Sequence, residues 1–271
     1  MYFFNFYYII RMKNIIILIL FFIVYVNAFF HFINPLLIET NINKHRNLYK
    51  YCSKLSKEVY INKLTCTNEL YQKQLNILNI NNTLYICFRG TSSLHDWKIN
   101  LDSRLIQPKK NKDIFKVHSG FYTQYNSIKN NIIPYIIQNY TYNNIVICGH
   151  SLGGALATIC AFDLYDNIYN NNITCVTFGS PRVGDKNFVR LYNKYNINTH
   201  RIVISSDPVP KWPLNGNYIH ICSSIYFKNK KIFIKPNKAY VSIKRFMIYL
   251  LNCDYNLNSH DMDNYINIVD N

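Results

Sequence analysis

Five residues near the middle of the chain, Gly149-His150-Ser151-Leu152-Gly153, constrain its fold more than any other segment. They stand where the apolar run Asn144-Ile145-Val146-Ile147-Cys148 meets the small-residue stretch Gly153-Gly154-Ala155-Leu156-Ala157-Thr158. The first run reads as a buried strand and the second as a helix that packs closely against it. A G-x-S-x-G pattern between strand and helix predicts a sharp turn that holds the serine in a strained conformation with its Oγ presented at the strand end. Glycines two residues on either side let the strand and helix approach each other around Ser151. The Leu152 N–H then falls in the first helical turn, where no preceding helix carbonyl takes it, and it faces any anion that forms at the serine. The same letters would also suit a plain loop before an Ala-rich helix. The strand and helix on the correct sides favour an activated serine.

A second oxyanion donor is expected from the loop after an earlier strand. Thr83-Leu84-Tyr85-Ile86-Cys87-Phe88 reads as such a strand and runs into Arg89-Gly90-Thr91-Ser92-Ser93. Gly90 permits close backbone approach, and Thr91 offers both an N–H and a hydroxyl. A serine nucleophile also needs a base and an orienting acid, which follow it in the order Ser, Asp or Glu, His on this type of sheet. Beyond Ser151 the histidines are His200, His220 and His260. His200 and His220 sit in or beside apolar strands and read as structural. His260 opens the last helical segment within a polar stretch, which suits proton transfer. Asp207 follows a strand, where such sheets place functional groups. Asp163, Asp166 and Asp185 read as solvated or capping, and Asp261, adjacent to His260, is the main rival. The expected triad is Ser151, Asp207 and His260, with Thr91 and Leu152 as oxyanion donors.

With these residues in hand, the chain resembles the class 3 lipases, the fungal triacylglycerol lipases and their relatives. The segments that carry the likeness are Phe88 to Thr91, Val117 to Tyr122, Gly149 to Ala157, Thr177 to Asp185, Asp207 to Pro210 and His260 to Tyr265. The resemblance implies an α/β-hydrolase fold with a mainly parallel central sheet, and hydrolysis of carboxylic esters through an acyl-enzyme on Ser151. It also implies lipid esters met at a lipid–water surface, with transient membrane or droplet contact, no metal or other cofactor, and a monomer. His118, Arg89 and Phe178 to Arg182 match too and read as scaffold. In the family, the counterpart of residues 92–100, which holds Leu94 and Trp97, is a lid. A phospholipase A1, or another carboxylesterase, fits the same scaffold. A non-catalytic lipid- or glycan-binding protein is the third reading.

Strands are expected near 83–88, 144–148, 173–178 and 201–205, alternating with helices near 121–138, 152–168 and 185–195. A helical lead-in and a strand are expected across 35–80, and a final strand pair within 218–234. That alternation predicts α/β architecture in one domain. Arg11 and Lys13, the apolar run Ile15–Val26 and the small residues of Val26-Asn27-Ala28 read as a signal peptide over residues 1–28, leaving 29–271 as the catalytic domain and implying secretion. Sequons at Asn81, Asn139 and Asn172 are compatible with secretion, as are the eight cysteines. Cys87, Cys148, Cys160 and Cys175 read as buried thiols, whereas Cys52 with Cys66 and Cys222 with Cys253 are candidate disulfide pairs. The net charge of +16, or +14 without Arg11 and Lys13, follows a chain rich in Lys, Asn, Ile and Tyr. Nothing in it resembles a nucleic-acid-binding module.

Overall fold

A computed structural model describes residues 44–61, 74–91, 104–108, 114–139, 143–168, 172–214, 216–228, 231–235 and 257–270. The expected signal peptide, the 92–100 segment, Cys66 and Cys253 lie outside the described residues. The chain from Asn47 onward forms one compact unit.

Helix α1 covers 44–58 and buries Tyr49, Cys52 and Leu55, a spacing that places all three on one face, and Val59 in the turn that follows is buried too. Strands β1 (Leu75–Ile80) and β2 (Thr83–Phe88) form an antiparallel hairpin. Its turn residues Asn81 and Asn82 both have positive φ, 49° and 58°, the conformation that a tight two-residue hairpin requires and asparagine tolerates. A short ribbon, β3 (Leu105–Ile106) with β4 (Val117–His118), leads into helix α2 (Ser119–Asn139). Strand β5 (Asn144–His150) enters the serine turn, and helix α3 (Leu152–Ile168) leaves it. Strand β6 (Ile173–Phe178), helix α4 (Lys186–Lys194) and strand β7 (Asn198–Ile204) follow. The hairpin β8 (Ser224–Lys228) and β9 (Lys231–Lys235) precedes helix α5 (Met262–Asp270).

The seven-stranded sheet has the order β1-β2-β5-β6-β7-β8-β9. Its five inner strands are parallel, and an antiparallel hairpin strand closes each edge. Ile145, Ile147 and Cys148 are fully buried, as a central strand covered on both faces requires. Helix α3 is deeply buried: Ala155, Leu156, Ala157, Cys160, Ala161 and Leu164 have no exposure, because it is wedged between the sheet and α2. Helix α4 instead buries only Phe188 and Tyr192, and Asp185 caps it by accepting from the Phe188 N–H at 2.8 Å.

The α/β class and mainly parallel sheet agree with expectation. The β3–β4 ribbon was not anticipated, because two-residue strands leave no periodicity. Strand β7 begins at Asn198, three residues earlier than expected, and the last hairpin begins only at Ser224. Asp163 differs from the expected solvated or capping role: half-buried, it accepts from Tyr125 Oη at 2.8 Å and pairs with Lys129, tying α2 to α3. Cys52, Cys87, Cys148, Cys160, Cys175 and Cys222 are free thiols, so neither candidate disulfide is formed at its described member. Cys87 and Cys148 are register partners on β2 and β5, under the α1 face that carries Cys52 and Ser56.

Candidate active site

Four chain segments meet at the carboxyl ends of the parallel strands, where the helices that follow leave room for functional groups. The first is the serine turn. Ser151 has φ 58°, a left-handed backbone that a residue with a side chain rarely adopts. The turn holds this strain because its neighbours are fixed. The Ser151 N–H donates to Phe178 O at 2.9 Å across the end of β6, and Ser151 O accepts from the Gly154 N–H at 3.0 Å. A methyl group on Gly149 would collide with the backbone of Gly153, so the close crossing of strand and helix depends on that pair. Leu152 and Gly153 then open α3 with N–H groups that no earlier helical carbonyl can take.

The second segment is the end of β2. Phe88 is in register with Gly149, and a methyl group on Gly153 would press into the Phe88 carbonyl. The first turn of α3 is therefore seated on the exit of β2. Thr91, half-buried three residues beyond Phe88, is carried to the same end of the sheet as Leu152.

The third segment follows β7. Asp207 has no exposure, yet its carboxylate is fully engaged. Oδ1 accepts from the Val209 N–H at 2.8 Å. Oδ2 is shared by His260 Nδ1 at 2.8 Å and Tyr265 Oη at 2.5 Å. A buried carboxylate is tolerated only when hydrogen bonds replace its lost water, and here three groups do so.

The fourth segment is the turn at Leu257–His260 that leads into α5. His260 is 3% exposed, and α5 is anchored by buried Met262, Tyr265 and Val269. The Asp261 side chain accepts from the Asp263 N–H at 2.9 Å and so caps the helix start, leaving the carboxylate role to Asp207. With Nδ1 held by Asp207, His260 Nε2 is buried without a hydrogen-bond partner in the structure. That leaves the distal ring nitrogen available to exchange a proton with a hydroxyl.

Gly179 joins the segments. Its φ is 58°, and a methyl group on it would lie 2.8 Å from Asp207 Oδ2, 2.9 Å from Tyr265 Oη and 3.0 Å from His260 Cε1. It follows Phe178, whose carbonyl holds the Ser151 N–H. The aspartate–histidine pair and the serine turn thus converge on one bare backbone position. His150 adds a second contact, its ring centroid 4.5 Å from that of His260. Burial, and then the neighbouring His260 charge, push the His150 imidazole well below the usual histidine range, so it is neutral at pH 7.

The other two histidines have structural partners, as expected. His200 Nδ1 lies 3.0 Å from Tyr49 Oη, and His220 Nε2 lies 2.6 Å from Pro210 O, bracing the loop that carries Asp207. The residues that sequence reasoning missed are Gly179 and Tyr265. Gly179 was set aside as scaffold, although a glycine directly after a buried strand is a signal for close approach.

A left-handed serine between strand and helix, with a buried Asp–His pair beside it at the carboxyl edge of a parallel sheet, defines the α/β-hydrolase fold. Residues 85–217, just under half of the chain, match the family model described as lipase (class 3). The chain is 34% identical to a lipase of Rhizomucor miehei over 137 residues, which is 48% of this chain and 38% of that protein. It is also 34% identical to phospholipase A1-II 1 of Oryza sativa over 156 residues, 48% of this chain and 39% of that protein. The chain thus spans less than two-fifths of the length of these curated relatives. The solved Rhizomucor miehei lipase in complex with its propeptide superposes with a TM-score of 0.60 at 25% identity, covering 71% of this chain and 72% of that one.

Proposed function

We propose that this chain is a secreted serine carboxylester hydrolase acting on lipid esters, with triacylglycerol as its substrate. The observation that carries the reading is the buried hydrogen bond from His260 Nδ1 to Asp207 Oδ2, 2.8 Å long, beside a serine held at φ 58°. In this reading His260 takes the Ser151 proton as Oγ attacks the ester carbonyl, and Asp207 holds the ring tautomer and stabilises the imidazolium. The tetrahedral oxyanion lies against the N–H groups of Leu152 and Thr91, a type of donor whose loss costs roughly 3 kcal/mol. The alcohol leaves with the proton from His260, and water then releases the fatty acid from Ser151 by the same steps in reverse roles. The chain acts as a monomer, touches the lipid surface transiently and needs no cofactor. The basic, apolar and small-residue pattern of residues 11–28 supports export through a cleaved signal.

A second reading, phospholipase A1, is favoured by one finding: the rice enzyme matches at the same identity as the fungal lipase and over the same share of this chain. Fatty-acid release by the mature protein, with Ser151→Ala as control, separates the two. Activity on emulsified triacylglycerol that is lost in the variant supports the lipase. Preference for phosphatidylcholine vesicles, with 2-acyl lysophospholipid as product, moves the assignment to phospholipase A1. Absence of hydrolysis on both, and on short soluble esters, overturns the catalytic reading in favour of lipid or glycan binding.

A further inference from the structure

Tyr60 lies just beyond α1, far in sequence from every group discussed above. Its backbone is held by the helical exit: the Tyr60 N–H donates to Lys57 O at 3.1 Å, and the preceding Val59 is fully buried. Its ring lies under the Arg89 guanidinium, 5.9 Å from the centroid. The hydroxyl reaches two segments at once. On one side it sits against Gly90 so closely that a methyl group there would overlap it. On the other side it lies 3.1 Å from His150 Nδ1.

The polarity of the bond between Tyr60 and His150 follows from the groups. Burial keeps the phenol protonated well above neutral pH, so its own proton must be donated, and His150 Nδ1 is the acceptor in reach. The neutral His150 ring then carries its proton on Nε2, an atom buried without a hydrogen-bond partner in the structure. Gly90 immediately precedes the expected oxyanion residue Thr91, and His150 immediately precedes Ser151. The same imidazole packs on the ring of His260, and a methyl group on Gly90 would come within 2.7 Å of the His150 carbonyl. Two segments that must be mutually positioned to within a fraction of an ångström, the exit of β2 and the serine turn, are therefore held at one hydroxyl.

Resting on the serine-hydrolase reading above, we propose that Tyr60 is a positioning residue for the reaction, its hydroxyl locking the oxyanion loop at Gly90 to the nucleophile turn at His150. It touches neither substrate nor reacting atoms. Its effect is on the separation between the Thr91 and Leu152 donors, and hence on stabilisation of the tetrahedral oxyanion rather than on binding of the ester. Because the donors are loosened and not removed, the loss is smaller than the 10²- to 10³-fold of a deleted oxyanion donor, about tenfold.

The test measures kcat, KM and thermal midpoint with p-nitrophenyl butyrate for wild type, Ser151→Ala, Tyr60→Phe, His150→Ala and His150→Asn. Asparagine Oδ1 occupies the place of His Nδ1, so it restores the acceptor that alanine lacks. The expected result is that Tyr60→Phe lowers kcat about tenfold with KM within about twofold. His150→Ala should match or exceed that loss, and His150→Asn should recover part of it. Inactivation by an alkyl phosphonate, which forms a tetrahedral adduct on serine, should slow by the same factor as kcat. Wild-type kcat in Tyr60→Phe, a change confined to KM, or losses that only track the thermal midpoint overturn the proposal. With the wild type active and Ser151→Ala dead, those outcomes leave the hydrolase reading standing. An inactive wild type overturns both.

Discussion

The hydroxyl of Tyr265 donates to the same carboxylate oxygen of Asp207 that holds His260 Nδ1. Tyr265 is fully buried on α5, five residues beyond His260, and its oxygen also accepts from the Ile204 N–H at 3.3 Å. The helix that delivers the histidine thus also fixes the aspartate that orients it. Tyr265→Phe strips a donor from a buried carboxylate and leaves the Ile204 amide unsatisfied. The expected cost is about 1–3 kcal/mol of folding stability in urea unfolding. Ester turnover should fall by roughly tenfold, with a smaller change in KM. Unchanged turnover alongside the stability loss would mean that Tyr265 supports the fold alone.

Gly179 makes a sharper prediction. Alanine there must adopt φ 58° and push a methyl group to within 2.8–3.0 Å of Asp207 Oδ2, Tyr265 Oη and His260 Cε1. None of these groups can retreat, since each is bonded to another. Gly179→Ala should cost about 1–3 kcal/mol in stability from backbone and overpacking together. Its ester hydrolysis should fall by about 10²-fold, because a displacement of about 1 Å at the reacting groups is enough for that. Stopped-flow or steady-state assays on a soluble ester, beside a thermal melt, check both parts.

The contrast between Ser151 and these two residues explains what could be read in the sequence. The serine turn announces itself locally: strand, glycine, serine, glycine and helix fall within about fifteen residues, each fixed by backbone sterics. Asp207 and His260 stand out in the sequence because chain order on this sheet and their loop positions narrow a short list, and the structure brings the two within 2.8 Å of each other. Tyr265 and Tyr60 act across the fold, through hydrogen bonds spanning 58 and 90 residues, and a buried tyrosine carries no mark of what its hydroxyl touches. Asp163 was misjudged for the same reason, since its partners Tyr125 and Lys129 come from a neighbouring helix. The first sheet strand and α1 were visible only as a vague helical and extended lead-in, because their burial depends on contacts with β2 and β5.

The backbone of Ser151 holds a strained conformation that folding does not require. At φ 58° a side chain costs energy that glycine avoids. Ser151→Gly should therefore abolish turnover and yet raise stability by about 1 kcal/mol, or ~2–4 °C in the thermal midpoint. Ser151→Ala removes the same Oγ without relieving the backbone, so its midpoint should stay near that of the wild type. A glycine variant no more stable than the alanine one would show that the turn is not strained.

Acid should destabilise the fold through two histidines. Burial lowers His150 and His220 well below the usual range, and the charges of His260 on the first and of Arg201 and Arg182 on the second act in the same direction. Each is neutral when folded and takes up a proton on unfolding once the pH is below about 6.5, the value of a free imidazole. The unfolded chain then binds more protons, so stability falls with falling pH from about 6.5 down to the depressed folded value, by up to about 1.4 kcal/mol per pH unit for each group. Above about 6.5 neither contributes a slope. His220→Gln keeps a donor for Pro210 O but does not titrate, and it lies outside the triad. Urea unfolding at pH 7.5, 6.5 and 5.5 should show a shallower decline for this variant than for the wild type below pH 6.5, with parallel behaviour above it. Equal slopes throughout would place His220 in a hydrated setting and remove it from the acid response.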